Sequence, residues 1–370
     1  MSKMDVMLVV GARPQFIKSA PVIKEILSKH REIDLSIIHS GQHYDQQMSE
    51  IFFRELKIPA PLVNLQAGSG SHATQTAMMM KGLEGLMLKT KPHMVMVPGD
   101  TNTTLAASLA AVKLAIPVAH IEAGMRSGDM TMPEEINRKL ADHCSTLLFA
   151  PTQTAVCNLK KEGLGKATRL TGDTMVDVLH TVVPFVQLKQ DTMLERLELL
   201  PQDYVLVTLH RPSNVDNLNR LREILTALRK VAKRLQVIFP VHPRTRARLA
   251  KLGAFSSPKN GRITFMSPQG YIEILILLKN ASCLLTDSGG MQKESFLLHV
   301  PCITLRSTTE WPETLIGKAN QLLFKPEMIP KAILEIAFNE KLKQTITSLR
   351  NPFGDGHASG KIARILKETL

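Results

Sequence analysis

Residues 94–150 read MVMVPGDTNTTLAASLAAVKLAIPVAHIEAGMRSGDMTMPEEINRKLADHCSTLLFA, and this stretch decides the fold. Met94–Val97, Val118–Ile121 and Leu147–Ala150 are short, nearly continuous apolar runs. Strands buried on both faces have this pattern, and they belong to parallel sheets. Between the runs lie helix-period segments, the Ala- and Leu-rich Thr103–Ala115 and then Pro133–Cys144. Such alternation predicts parallel βαβ units. Toward the N-terminus the rhythm continues, with strands at Asp5–Val10 and Leu35–His39 and a helix over Pro14–Ser28. Toward the C-terminus it resumes with strands at Tyr204–Leu209, Val237–Val241, Ile263–Met266, Cys283–Thr286 and Cys302–Leu305. Helices are expected over Leu218–Leu235, Tyr271–Lys279 and Met291–His299. The strand rhythm lapses across Gly172–Pro201, which is the expected boundary between two doubly wound α/β units. The tail reads as a loop over Pro352–Gly360 and a final helix over Lys361–Leu370.

Composition agrees with this organisation. A chain of 370 residues suggests about two domains at roughly 150 residues each. Its 44% apolar and 21% charged residues are globular values and exclude a disordered, collagenous or disulfide-stapled chain. No apolar run approaches the roughly 18 residues needed to cross a bilayer. The first apolar stretch ends in Gly11-Ala12-Arg13-Pro14 and reads as a buried strand, not a secretory leader. Cys144, Cys157, Cys283 and Cys302 form no C-x-x-C pair and are expected as buried small hydrophobes. Reduced thiols imply a cytoplasmic protein. The net charge of +13 permits an anionic partner, whether nucleic acid, membrane surface or phosphorylated small molecule. The densest basic patch, Asn217–Leu235, reads as a solvated helix face. Only 4% of residues are aromatic, too few to supply a base-stacking platform readily.

Ligands of doubly wound sheets bind beyond the carboxyl ends of the strands, and with two such units the cleft between them is the expected site. The chemistry-bearing residues stand at those ends. After the first strand, Gly11 permits a tight turn, while Arg13 and Lys18 lie in the helix that follows, whose N-terminus favours anions. The turn is neither G-x-G-x-x-G nor a Walker loop, which weakens nicotinamide and ATP-hydrolysis readings. Gly99-Asp100-Thr101 follows the strand at 94–97, where Asp100 could equally cap the next helix. His120-Ile121-Glu122 shares its H-x-E spacing with zinc deaminases, but no P-C-x-x-C follows and no metal is expected. Glu134, in the first turn of its helix, could serve only the helix dipole. Asp100, Glu122 and Glu134 together form a carboxylate set suited to acid and base work, since repulsion and burial separate their pKa values. In the second half, His210 follows a strand and could meet a phosphate or transfer a proton, or be a core histidine. Thr286-Asp287-Ser288-Gly289-Gly290 opens a helix directly after a strand, a phosphate cradle, with Glu294 one turn on and placed for a ribose diol. Thr309 and Glu310 follow the next strand.

In order along the chain, GARPQFIK, GQHYD, GDTNTTLAASLAA, HIEAGMRSGDM, PEEINR, LHRPSNVDN, TDSGGMQKES, TTEWPE and NPFGDGHASGKI resemble the non-hydrolysing UDP-N-acetylglucosamine 2-epimerases. The resemblance implies two doubly wound Rossmann-like domains facing a cleft, of glycosyltransferase-B type. The expected limits are 1–175 for the sugar side, 176–350 for UDP, and a tail, 351–370, packing back on the first domain. It implies interconversion of UDP-GlcNAc and UDP-ManNAc by elimination of UDP to 2-acetamidoglucal and re-addition. Asp100, Glu122, Glu134 and His210 are then the catalytic candidates. Arg13, Lys18, Gln42, Arg138, Ser288, Gly289, Gly290, Glu294, Thr309 and Glu310 are the binding candidates. No metal or other cofactor, nucleic acid or membrane is implied, and a homodimer is expected. Ala12 and Gln15 replace the family's common Thr and Glu, and Gln42-His43-Tyr44-Asp45 replaces the Gln-His-Arg-Gln of the bacterial activator site. The GSGSH stretch and Trp311 are shared in style with relatives acting on UDP-2,3-diacetamido-glucuronate, which leaves that sugar as an alternative substrate. A glycosyltransferase-B transferase and a basic nucleic-acid-binding protein are the remaining readings.

Overall fold

The computed structural model describes residues 3–42, 58–68, 70–256 and 261–369. His43-Tyr44-Asp45 and Ser69 lie outside the described residues. The chain divides into two compact units, 1–181 with 351–370, and 182–350.

The first unit is built on a seven-stranded sheet in the order β3-β2-β1-β4-β5-β6-β7. Its strands are β1 (Met4–Val10), β2 (Ile33–His39), β3 (Val63–Asn64), β4 (Met94–Pro98), β5 (Val118–Ile121), β6 (Leu147–Ala150) and β7 (Thr168–Leu170). Every pairing is parallel. The order reverses between β1 and β4, so the turns leaving these two strands open side by side. Both faces of the sheet are covered: Phe16, Val22, Ile23 and Ile26 of the helix Arg13–Lys29 pack on one, and Met79, Leu83, Ala106 and Ala110 on the other. This double burial explains why the strands lack polar alternation.

The second unit carries a six-stranded parallel sheet in the order β10-β9-β8-β11-β12-β13. Its strands are β8 (Tyr204–Thr208), β9 (Gln236–Pro240), β10 (Ile263–Met266), β11 (Cys283–Thr286), β12 (Cys302–Thr304) and β13 (Asn320–Leu322). The reversal lies between β8 and β11. The basic patch is the helix Leu218–Val231, which buries Leu221, Ile224, Leu225, Leu228 and Val231 and turns its charges outward.

Three expectations from the sequence are corrected by the structure, beside elements such as the helix His72–Thr90 that the sequence reading did not anticipate. The rhythm lapse at 172–201 is filled by a 23-residue helix, Thr174–Arg196, which runs through Pro184. The last helix begins at Ala358, inside the stretch expected as loop. Its first turn is held by Asp177, which accepts from the amides of Ala358 (3.1 Å) and Ser359 (2.9 Å) and from the Ser359 hydroxyl (2.6 Å). Ile362, Ala363 and Leu366 join the core of the first unit. Of the cysteines, only Cys283 and Cys302 are buried. Cys157 is exposed because Ala155, Val156 and Leu159 take the inner face of its helix, Gln153–Lys161. Burial raises the Cys283 and Cys302 thiols to about 12, leaving them inert at neutral pH. No described helix is long and apolar enough to cross a membrane.

Candidate active site

In the first unit the candidates gather where β1, β4 and β5 end. Gly11 has no room for a side chain, since a Cβ would overlap the hydroxyls of Ser40 and Thr103. Gln15 fills the turn from within: its Oε1 accepts the Gly11 and Ala12 amides at 2.9 and 3.1 Å. Its Nε2 donates to the Pro98 carbonyl at 2.8 Å, so this buried amide ties the end of β1 to the end of β4. Gln42 joins the same cluster by accepting the Thr103 hydroxyl at 2.7 Å. Arg13 stands half-buried at the start of its helix.

Asp100 is not the cap of the following helix. Thr101 takes that place, its side chain accepting from the Thr104 amide. Asp100 instead accepts from Arg138 Nε at 3.0 Å and Nη2 at 2.7 Å. Arg138 also donates from Nη1 to Glu135 at 2.8 Å and is itself buried. Glu135 anchors the loop before its helix, taking the Ser127 amide and hydroxyl, each at 2.9 Å, and the Gly128 amide at 3.1 Å. Burial opposes its charge, but these donors and Arg138 outweigh it and lower its pKa. Glu134, the neighbouring candidate, is half-buried in the first helical turn.

Glu122 follows β5 with a backbone φ of 70°, a left-handed conformation rare outside glycine. Its carboxylate is paired with Lys18, which reaches it from the helix Arg13–Lys29. A Cβ on Gly99 would lie 3.6 Å from Glu122 Oε2 and 3.8 Å from Lys18 Nζ. Pro98 pairs with Ile121 across the sheet, so Asp100 and Glu122 leave adjacent strands at nearly the same level. Two carboxylates, each held by its own cation, therefore stand at one end of the sheet.

In the second unit, buried Asp287 organises the turn after β8. It accepts the His210 amide at 3.0 Å, the Arg211 amide at 3.0 Å and Asn214 Nδ2 at 3.1 Å. His210 Nδ1 lies 3.4 Å from Asp287 Oδ1, while its side chain is partly exposed. The helix Gly289–Leu297 starts directly after, with the Ser288 amide donating to Thr286 Oγ1 at 3.0 Å. The first amides of a helix have no internal acceptor and face outward as an anion site. A Cβ on Gly289 would overlap Glu310 Oε1, so a side chain here would push that carboxylate aside. Glu310 accepts from Arg306 Nη1 at 2.7 Å, and the Thr309 hydroxyl donates to Gln292 at 2.6 Å. Thr309 and Glu310 thus shape the wall around Gly289, held by partners within the unit. Trp311 lies under buried Lys293, whose Nζ is 3.7 Å from the ring centroid. Glu294 is buried one turn into the helix. The supporting residues Gln15, Glu135, Asp142 and Asp287 were not among the site candidates drawn from the sequence. Gln15, Glu135 and Asp287 lie within quoted motifs and Asp142 just beyond one, and their burial and hydrogen bonds reveal their work.

The family model for UDP-N-acetylglucosamine 2-epimerase matches residues 25–367. The chain is 46% identical, over 98% of its length and 99% of the relative's, to a UDP-N-acetylglucosamine 2-epimerase homolog of Methanococcus maripaludis. It is 42% identical, over the same shares, to the UDP-2,3-diacetamido-2,3-dideoxy-D-glucuronate 2-epimerase of Pseudomonas aeruginosa. The crystal structure of Methanocaldococcus jannaschii UDP-GlcNAc 2-epimerase in complex with UDP-GlcNAc and UDP superposes with a TM-score of 0.90, at 43% identity, covering 99% of this chain and 100% of that one. On this match the chain belongs to the UDP-N-acetylglucosamine 2-epimerase family.

Proposed function

We propose that this protein inverts C2 of UDP-GlcNAc to give UDP-ManNAc. The observation that supports this most is the pair Asp100 and Glu122, each held by its own cation at the ends of adjacent strands. The C2 proton has no neighbouring carbonyl to acidify it, so a simple deprotonation is unfavourable. Elimination avoids this. A carboxylate takes the C2 proton, the C1–O bond to UDP breaks, and the electron pair forms the C1=C2 bond of 2-acetamidoglucal. UDP then re-adds at C1 while a carboxylic acid protonates C2 from the opposite face. Asp100, Glu122 and Glu134 supply the base and acid in this reading. The first amides of the helix Gly289–Leu297, with His210 and Arg13, stabilise the leaving diphosphate, and Glu294 holds the ribose. Residues 1–175 carry the sugar chemistry and 176–350 hold UDP.

A second substrate has a specific support. The 42% identity to the Pseudomonas aeruginosa enzyme favours UDP-2,3-diacetamido-glucuronate by the same C2 chemistry. Incubation of the protein with each sugar nucleotide, followed by proton NMR, decides between them. Appearance of the C2 epimer from UDP-GlcNAc supports the first reading, and conversion of the uronate alone supports the second.

A further inference from the structure

We propose that His120 and Asp142 form a buried ion pair that positions Asp100 and Glu122 for proton transfer, a role that rests on the epimerase reading above. His120 lies within β5, and both side chains are fully buried. His120 Nε2 is 2.6 Å from the Gly99 carbonyl oxygen, and Nδ1 is 2.7 Å from Asp142 Oδ1. A carbonyl has no proton to give. Burial opposes the Asp142 charge, but His120 and Arg126, whose Nη1 lies 2.7 Å from Oδ2 beside the Gly124 amide at 3.0 Å, outweigh it and hold the group as a carboxylate. Both ring nitrogens must therefore donate, which requires the imidazolium form.

The pair acts on both candidate carboxylates at once. Through Nε2 it pins Gly99, at φ 68°, immediately before Asp100. Through Asp142 it pins Gly124 and Arg126, the turn in which Glu122 sits at φ 70°. Burial works against the histidine's charge, but Asp142, Gly99 and Glu122 outweigh it and raise its pKa above 6.5. The charged groups around the pair are Asp142 from the helix Pro133–Cys144, and Glu122 and Arg126 from the turn after β5. Beyond them stand Glu162, paired with Arg126, and Lys18, paired with Glu122. Neither His120 nor Asp142 is exposed to reach a substrate, since both side chains are fully buried. His120 and Asp142 are thus positioning residues.

Nitrogen-15 NMR of the histidine-labelled protein tests the charge, with His120→Gln assigning the resonance. Both His120 nitrogens should be protonated at neutral pH, and a neutral tautomer there would overturn the proposal whether or not the variant folds well. Kinetics tests the positioning. His120→Gln keeps only one donated hydrogen bond and should lower kcat about 10²-fold, the scale of a small misplacement of reacting groups, with UDP affinity unchanged. A folded variant with wild-type kcat would overturn it. If wild type turned over neither sugar nucleotide, the epimerase reading would fail, and the positioning role with it, while the NMR result would still settle the charge.

Discussion

A carboxylate at a strand end can cap the next helix or do chemistry, and at Asp100 the choice is made by its neighbour. Thr101 supplies the cap, which leaves Asp100 to Arg138. Asp100→Asn and Glu122→Gln should therefore keep the fold and UDP binding yet lose at least about 10²-fold in turnover, the usual size of an acid–base contribution. Isothermal titration with UDP alongside an epimerisation assay checks both halves. At Gly289 the absent side chain makes room for Glu310. Gly289→Val should displace that carboxylate and the wall it supports, abolishing UDP binding while circular dichroism stays unchanged. Titration across pH reports on His120 and Asp142. Burial opposes the Asp142 charge, yet His120 and Arg126 lower its pKa below 3.8, so its stabilisation is present above that value and is lost as pH falls through the lowered one. The His120 pKa is raised above 6.5, so its contribution is full below 6.5 and is lost as pH rises through the raised value. Thermal melting should show a plateau between these limbs, and the alkaline limb should flatten in His120→Gln.

Elements were legible in proportion to how much apolar sequence they concentrate. Val118–Ile121, Leu147–Ala150, Ile263–Met266 and Cys283–Thr286 have the same limits in the sequence reading and in the structure. The edge strands Val63–Asn64 and Asn320–Leu322 are too short to leave a pattern. Thr174–Arg196 hid because Pro184 and the β-branched pair Val182-Val183 disfavour a helix locally. Burial of Met175, Val178, Leu179, Val182 and Val186 overrides that preference. The same packing logic marks Asp177, whose partners lie 181 and 182 residues away. Asp177→Ala strips the first turn of the helix Ala358–Glu368 of its acceptor and should cost about 1–3 kcal/mol, read as a loss in urea-unfolding free energy. Motifs at strand ends revealed the candidate site, since doubly wound sheets present ligands there. Its pairings were not legible, because Arg138 meets Asp100 across 38 residues and Lys18 meets Glu122 across 104.

Across the whole chain, each sheet reverses its strand order once, and many of the candidates follow the strands beside the reversal. Arg13 and Asp100 follow β1 and β4, with Glu122 after the adjacent β5, and His210 and Ser288–Gly290 follow β8 and β11. The +13 charge suits an anionic ligand, but the most basic helix buries its apolar face and carries Arg222 and Lys230 on its exposed face. A duplex-DNA titration should accordingly be weak and steeply salt-dependent, whereas UDP binding should survive added salt. Elimination and re-addition at C2 leave an isotopic mark on the product. UDP-GlcNAc is turned over in deuterium oxide and the product is read by NMR and mass spectrometry. The product should be UDP-ManNAc carrying one deuterium at C2. Epimer without deuterium, or a sugar inverted at C4 in a nicotinamide-dependent reaction, would contradict it.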